Sequence, residues 1–134
     1  LPEQVTFVET GGMKGKGPEV KREDLHRDVL YRWPNVKVLS EFGMCELQSQ
    51  AYYLGDSFTA PTGLLCAGAD FDDPFSIKAS HQRGQLCFVD MANRHSCAFI
   101  ATQDYGQVFS PRQFRIEGRL QASDLRGCNL MYQE

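Results

Sequence analysis

The chain has 134 residues, 42% of them hydrophobic, 11% aromatic and 23% charged, enough for one core and too few for two. These ordinary globular values exclude intrinsic disorder and coiled-coil or collagen-like repeats. Fourteen Lys and Arg against seventeen Asp and Glu give a net charge of -3 without a basic block, so nothing is built to neutralise phosphates along a duplex and no nucleic-acid partner is expected.

Apolar runs such as Thr62 to Ala69 fall short of the roughly 18 residues a membrane span needs. No charged n-region followed by an apolar core and cleavage site appears at Leu1, so a cytoplasmic location is expected. Cys45, Cys66, Cys87, Cys97 and Cys128 are an odd set with no C-x-x-C pair and read as reduced thiols rather than a disulfide framework or a zinc ribbon. The chain opens on Leu1 with a strand within a few residues, which suggests a fragment entered partway through a fold.

In chain order, Gln4 to Glu9 alternates and is rich in β-branched and aromatic residues, so it predicts a strand running into a turn at Thr10-Gly11-Gly12. A basic glycine loop, Met13 to Gly17, follows. Arg22 to Arg32 then predicts an amphipathic helix, with Leu25, Val29, Leu30 and Trp33 at helical spacing. Pro34-Asn35 breaks it, and Val36 to Leu39 is a short apolar run of the kind an inner parallel strand has. From Tyr52 onward the text turns to short apolar runs between Gly, Pro and Asp. Leu64 to Ala67, Gln85 to Met91, Ser96 to Thr102 and Phe114 to Arg119 are the predicted strands, with turns such as Asp70 to Pro74 between them. The expected class is α+β: a strand-helix-strand unit, then a small distorted β-barrel or a curled, mostly antiparallel sheet. The expected divisions are 1–50 for the end of an α/β layer, 51–119 for the β-rich part and 120–134 for a hinge and tail.

The glycine run from Gly11 to Gly17 invites a phosphate-loop reading, since glycines let backbone N–H groups approach an anion at a helix N-terminus. A Walker A frame from Gly12 reaches Gly17 but then meets Pro18 and Glu19 instead of Lys and Ser or Thr. Taken alone, the run is better read as a surface connector. Glu41-Phe42-Gly43-Met44-Cys45-Glu46 follows the predicted strand Val36 to Leu39. Ligands bind at the carboxyl ends of parallel strands, so this segment could stack on a base and hold a metal; equally, it could be a capped turn with a buried Phe42 and a solvated Glu46. Thr102-Gln103-Asp104-Tyr105-Gly106 reads alone as an Asp-containing turn, and Phe114 to Arg119 as an edge strand. His26, His81 and His95 have no metal-ligand spacing, and Asp70, Asp72 and Asp73 lack the calcium-loop pattern, so no structural metal is assigned.

Together, these segments resemble the adenylate-forming superfamily of acyl- and aryl-CoA ligases, over most of the chain. The resemblance puts Gly11 and Gly12 in a glycine turn against adenine. In a YGxTE-like motif some thirty residues on, Phe42 replaces the adenine-stacking Tyr, Gly43 matches, Cys45 stands where a phosphate-contacting Thr is usual, and Glu46 matches the Mg2+-binding acid. It puts Asp104, in TQDYG, on the ribose hydroxyls, and Arg119, in a GR pair, against the ribose and phosphate. The wording ETGGMKGKG, EFGMCELQSQAYY and GRLQASDLRGCNLMYQE looks more narrowly like the C-terminal part of long-chain-fatty-acid acyl-protein synthetases, the ligase component of bacterial luminescence fatty acid reductase.

That resemblance implies ATP and Mg2+ as cofactors, a carboxylic (fatty) acid as substrate, an acyl-acceptor protein such as a reductase, and possible homo-oligomers. Glu46 and Cys128 would be the catalytic pair, with Cys128 carrying the acyl thioester near the end of the chain. The family's Ser/Thr/Gly-rich phosphate loop lies upstream of these motifs and has no counterpart here, so the isolated chain is expected to be inactive. Other readings are a coenzyme A ligase of the phenylacetate type, which would need a longer tail with a catalytic Lys, and a non-catalytic protein-interaction module.

Overall fold

The computed structural model describes residues 5–11, 20–73 and 75–119. The elements are β1 (Thr6–Glu9), α1 (Arg22–Arg32), β2 (Lys37–Phe42), β3 (Ala51–Leu54), β4 (Ser57–Thr59), β5 (Leu64–Ala69), β6 (Arg83–Asp90), β7 (Phe99–Ser110) and β8 (Gln113–Arg119). All eight strands lie in one sheet of order β1-β2-β3-β4-β8-β7-β6-β5. Only β1 and β2 are parallel, in the register Thr6 to Lys37 through Glu9 to Ser40; a parallel pair needs a crossover, and α1 supplies it. β2 also pairs antiparallel with β3, so it belongs both to the strand-helix-strand unit and to the antiparallel remainder.

α1 keeps the bounds its sequence predicts. Glu23 and Asp24 in its first turn and Arg32 in its last suit the helix dipole, and it stops where Trp33 donates its N–H to the Val29 carbonyl at 2.9 Å, just before Pro34, which would break the helical hydrogen bonding. Its apolar residues do not find a core: no residue of α1 is buried. It meets the sheet through a few side chains: Trp33, just past its end, stacks on Phe7 at 5.3 Å, His26 Nε2 is hydrogen-bonded to Ser40 Oγ at 2.9 Å, and Arg22 lies over the Tyr53 and Phe58 rings.

The core lies instead inside the antiparallel part. Phe42, Phe58, Phe88 and Phe114 contact one another with ring centroids 5.2 to 5.8 Å apart, and Leu47, Ala51, Ala60, Leu64, Cys66 and Leu86 close around them. Burying a Phe side chain contributes about 1.5–3 kcal/mol, and well-oriented ring pairs add about 0.5–1.5 kcal/mol each. The sheet curls to enclose this cluster. Register shifts occur in β7 against β8 at Tyr105/Gly106 and Val108/Ser110, and the β7–β8 turn folds over the edge of β5, where the Pro111 carbonyl accepts from the Cys66 N–H at 2.7 Å. Gly106 is required at the first shift, since a Cβ there would lie 1.8 Å from the Arg115 carbonyl oxygen.

The outcome is the expected α+β curled sheet, with three local differences. β2 extends through Phe42, so Glu41 and Phe42 of the EFGMCE segment are strand. The short hairpin β3–β4 was not predicted; four and three residues around Gly55-Asp56 carry too few alternations to stand out. Thr102 to Gly106 runs through the twelve-residue β7 instead of forming a turn, because β6 and β8 supply partners on both sides.

Candidate functional site

At the carboxyl end of β1, Gly11 has φ of 83°, a conformation that glycine adopts without strain. Its N–H donates to Glu9 Oε2 at 2.7 Å. This turn walls a cavity of about 850 Å³, a size suited to a small organic ligand. Residues 20–23 and Leu25, where α1 begins, form a second wall, and Ile116 and Glu117 of β8 a third. The curl of the sheet brings β8 round to face the glycine turn.

Two residues past Glu117, Arg119 lies opposite Asp104 in the β7–β8 register, and its Nε donates to Asp104 Oδ1 at 2.7 Å. Asp104 is 5% exposed. Its N–H donates to Thr102 Oγ1 at 3.1 Å, and that hydroxyl donates to the Leu86 carbonyl at 2.8 Å, which fixes the strand around the carboxylate. Oδ2 has no partner among the described residues and can accept a hydroxyl. Gly118 makes room beside the pair: a Cβ there would come within 2.8 Å of the Tyr105 ring.

A second cluster holds the segment after β2. Cys45 and Glu46 form the corner of a turn closed by the Leu47 N–H and the Met44 carbonyl at 3.1 Å, and both are exposed. Asp90, at the end of β6, is fully buried. Its carboxylate accepts from the Gln48 and Ser49 N–H groups and the Ser49 hydroxyl, each at 2.8 Å, and from the Ala92 N–H at 3.0 Å. Burial opposes ionisation, but the hydrogen bonds from Ser49, Gln48 and Ala92 outweigh it and hold the carboxyl below its ordinary value. Asn93 Nδ2 donates to the Glu46 carbonyl at 2.7 Å and to the Cys97 carbonyl at 2.9 Å. The buried Cys66 and half-buried Cys87 lie elsewhere and are poor nucleophiles. Burial, and secondarily Cys87, pushes the Cys66 thiol far up, and burial raises Cys87 as well.

The candidate residues therefore form two groups. Gly11 shares the cavity with Ile116 and Glu117 of β8, the strand that carries Arg119, whereas the Glu46 turn is tied to the far end of β6, where Asp90 lies four residues beyond Leu86, about 13 Å along a strand. Gly43 joins β2 to that turn. Phe42 ends β2 and is buried, with Phe58, Phe88 and Phe114 around its ring. Gly12 and Cys128 lie outside the described residues. Asp90, Asn93 and Arg22 were not anticipated. Asp90 acts on Ser49 across 41 positions, a distance over which no local pattern speaks.

Among the described residues no group of three His, Cys, Asp or Glu side chains is arranged to hold a metal ion. A single exposed carboxylate such as that of Glu46 is compatible with Mg2+ taken together with substrate phosphates and water. No helix among the described residues is long and apolar enough to cross a membrane.

A helix-linked parallel pair continuing into a curled antiparallel sheet is the α+β arrangement that carries both groups. The same fold occurs in the luciferase-like enzyme from the nonluminescent mealworm Zophobas morio, to which the chain is similar with a TM-score of 0.63 over 87% of its own length, at 15% identity. It spans 32% of that enzyme's chain, and at this identity the likeness is one of fold. No protein-family model matches the sequence, and no curated protein matches it.

Proposed function

We propose that the chain is the nucleotide side of an ATP-dependent, carboxylate-activating ligase that forms an acyl-adenylate and passes the acyl group to a thiol. The observation that carries this reading is the Asp104–Arg119 pair, joined at 2.7 Å two residues along β8 from Glu117, which lines the cavity walled by the Gly11 turn, on a fold shared with a luciferase-like enzyme. Asp104 Oδ2 accepts from the ribose hydroxyls, and the guanidinium of Arg119, whose side chain is 64% exposed, reaches toward the sugar and phosphate. The Gly11 turn lets backbone approach the base.

In the reaction a carboxylate oxygen of the acid attacks the α-phosphorus of ATP and the bond to pyrophosphate breaks. Mg2+ held at Glu46 supplies charge neutralisation at the phosphate oxygens when bound. A thiol then attacks the acyl carbonyl and AMP leaves. In the finer reading the acid is a fatty acid, the enzyme is of the acyl-protein synthetase type and Cys128 is the thiol. The complete protein is assayed for pyrophosphate release from ATP with a panel of fatty and aryl acids. Acid-dependent release is expected, and Asp104→Asn should raise the KM for ATP by about tenfold, the equivalent of about 1.4 kcal/mol. Release at background with every acid would overturn the reading.

A further inference from the structure

Arg22 opens α1 and lines the cavity. Its guanidinium lies 4.5 Å from the centre of the Tyr53 ring and 4.9 Å from that of Phe58, two rings packed edge to face 5.3 Å apart. Aromatic contact of this kind holds the guanidinium plane and leaves its N–H groups available at the edge. Glu9 Oε1 forms an ion pair with Nε at 3.7 Å, beyond hydrogen-bond length, and the other carboxylate oxygen of Glu9 is engaged by the Gly11 N–H. Arg22 Nε is consequently a buried donor without a hydrogen-bond partner, the single such side-chain atom among the described residues. The side chain as a whole is 31% exposed, so the cation is reachable from the cavity.

A buried donor left unpaired is costly, and native proteins keep few of them without a use. We propose that Arg22 is the oxyanion-binding residue of this cavity, presenting its fork to a carboxylate or phosphate group of the ligand. The inference rests on the ligase reading for the identity of that ligand, which then supplies the anion either as the nucleotide phosphate or as the acid's carboxylate. Glu9, Glu23 and Glu117 also line the cavity, against Lys21 and Arg22. This mixed lining suits a single oxyanion in the Arg22 fork better than a run of free phosphates.

Calorimetric titration of the wild-type protein, Arg22→Met and Arg22→Lys with ATP, AMP and a fatty carboxylate tests this, alongside thermal unfolding of all three. Met keeps an apolar stem against Tyr53 and Phe58, so Arg22→Met should melt close to wild type yet bind its anion at least tenfold more weakly. Arg22→Lys, which keeps the charge without the fork, should fall between. A loss shared by ATP and AMP identifies the phosphate as the source, and a loss confined to the fatty acid identifies the carboxylate; either supports the proposal. Wild-type binding that is unchanged in Arg22→Met overturns the role of Arg22 and leaves the ligase reading standing, whereas a wild-type protein that binds none of the three ligands overturns both. Should Arg22→Met fail to fold, Arg22→Lys decides: weaker binding at an unchanged melting temperature supports the proposal, and equal binding overturns it.

Discussion

The strand-helix-strand unit and the curled sheet are built from similar residues and end in opposite states. In the curled sheet Phe42, Phe58, Phe88 and Phe114 are shut in, with Phe114 at 0% exposure. In the other unit Val8, Val20, Leu25, Leu30 and Trp33 stay exposed, although the helix forms where its periodicity says it should. Local pattern is enough to make a helix, but burial requires an opposing face, and parallel sheets are ordinarily covered on both sides. The cavity sits on the seam, with two walls from the lightly packed unit and one from β8. Most of its lining, with Glu9, Lys21, Arg22 and Glu23, therefore comes from the part with the least packing holding it, and β8 adds Ile116 and Glu117.

This comparison is most directly broken by core truncation. Phe114→Ala should destabilise by about 3–5 kcal/mol in urea unfolding; a much smaller loss would mean that the aromatic cluster is not the source of stability. Asp90→Ala removes the acceptor for the Gln48, Ser49 and Ala92 N–H groups and should cost about 1–3 kcal/mol, since these part-buried donors lose a charged partner. The sign of its pH dependence follows from the lowered carboxyl. The stabilisation is complete above the ordinary Asp value, about 3.9, and is lost as pH falls through the lower folded value. Asp90→Asn should flatten that acid limb of a stability–pH profile.

Gly106→Ala should cost about 1–3 kcal/mol, as overpacking does, because its Cβ would collide with the Arg115 carbonyl. Leu30→Ala, on the exposed face of α1, should change stability by no more than about 0.5–1 kcal/mol, and a larger loss would show that the helix face is covered in solution. Glu46→Ala is expected to have the smallest effect on folding, within about 0.5 kcal/mol for an exposed turn. In the complete protein it should nonetheless abolish acid-dependent pyrophosphate release, which separates a site residue from a structural one.

Much of the fold was legible in short-range signals. The helix bounds are read from 3.6-residue spacing and the Pro34 stop, and β5, β6 and β8 from apolar runs between turn formers. Asp104 was legible as a candidate residue but not as a strand residue. Asp, Tyr and Gly in succession carry turn propensity, which lost to pairing with β6 and β8 on either side. Phe42 was ambiguous between a ligand and the core, since an aromatic after an apolar strand looks the same in both roles.

By itself, the amino-acid sequence determined the helix, the strands β1, β5, β6 and β8 and the α+β class, and local motifs that hold Gly11, Glu46, Asp104 and Arg119. These properties depend on neighbours a few residues apart. Tertiary structure alone decided that Phe42 belongs to the aromatic core, that Asp104 and Arg119 meet across β7 and β8, that Asp90 anchors the Glu46 turn and that Arg22 faces a cavity closed by Ile116 and Glu117. Each of these joins residues far apart in the chain. Their contacts exist only once the sheet has curled, because burial and charge pairing depend on distance in space, which local periodicity does not encode.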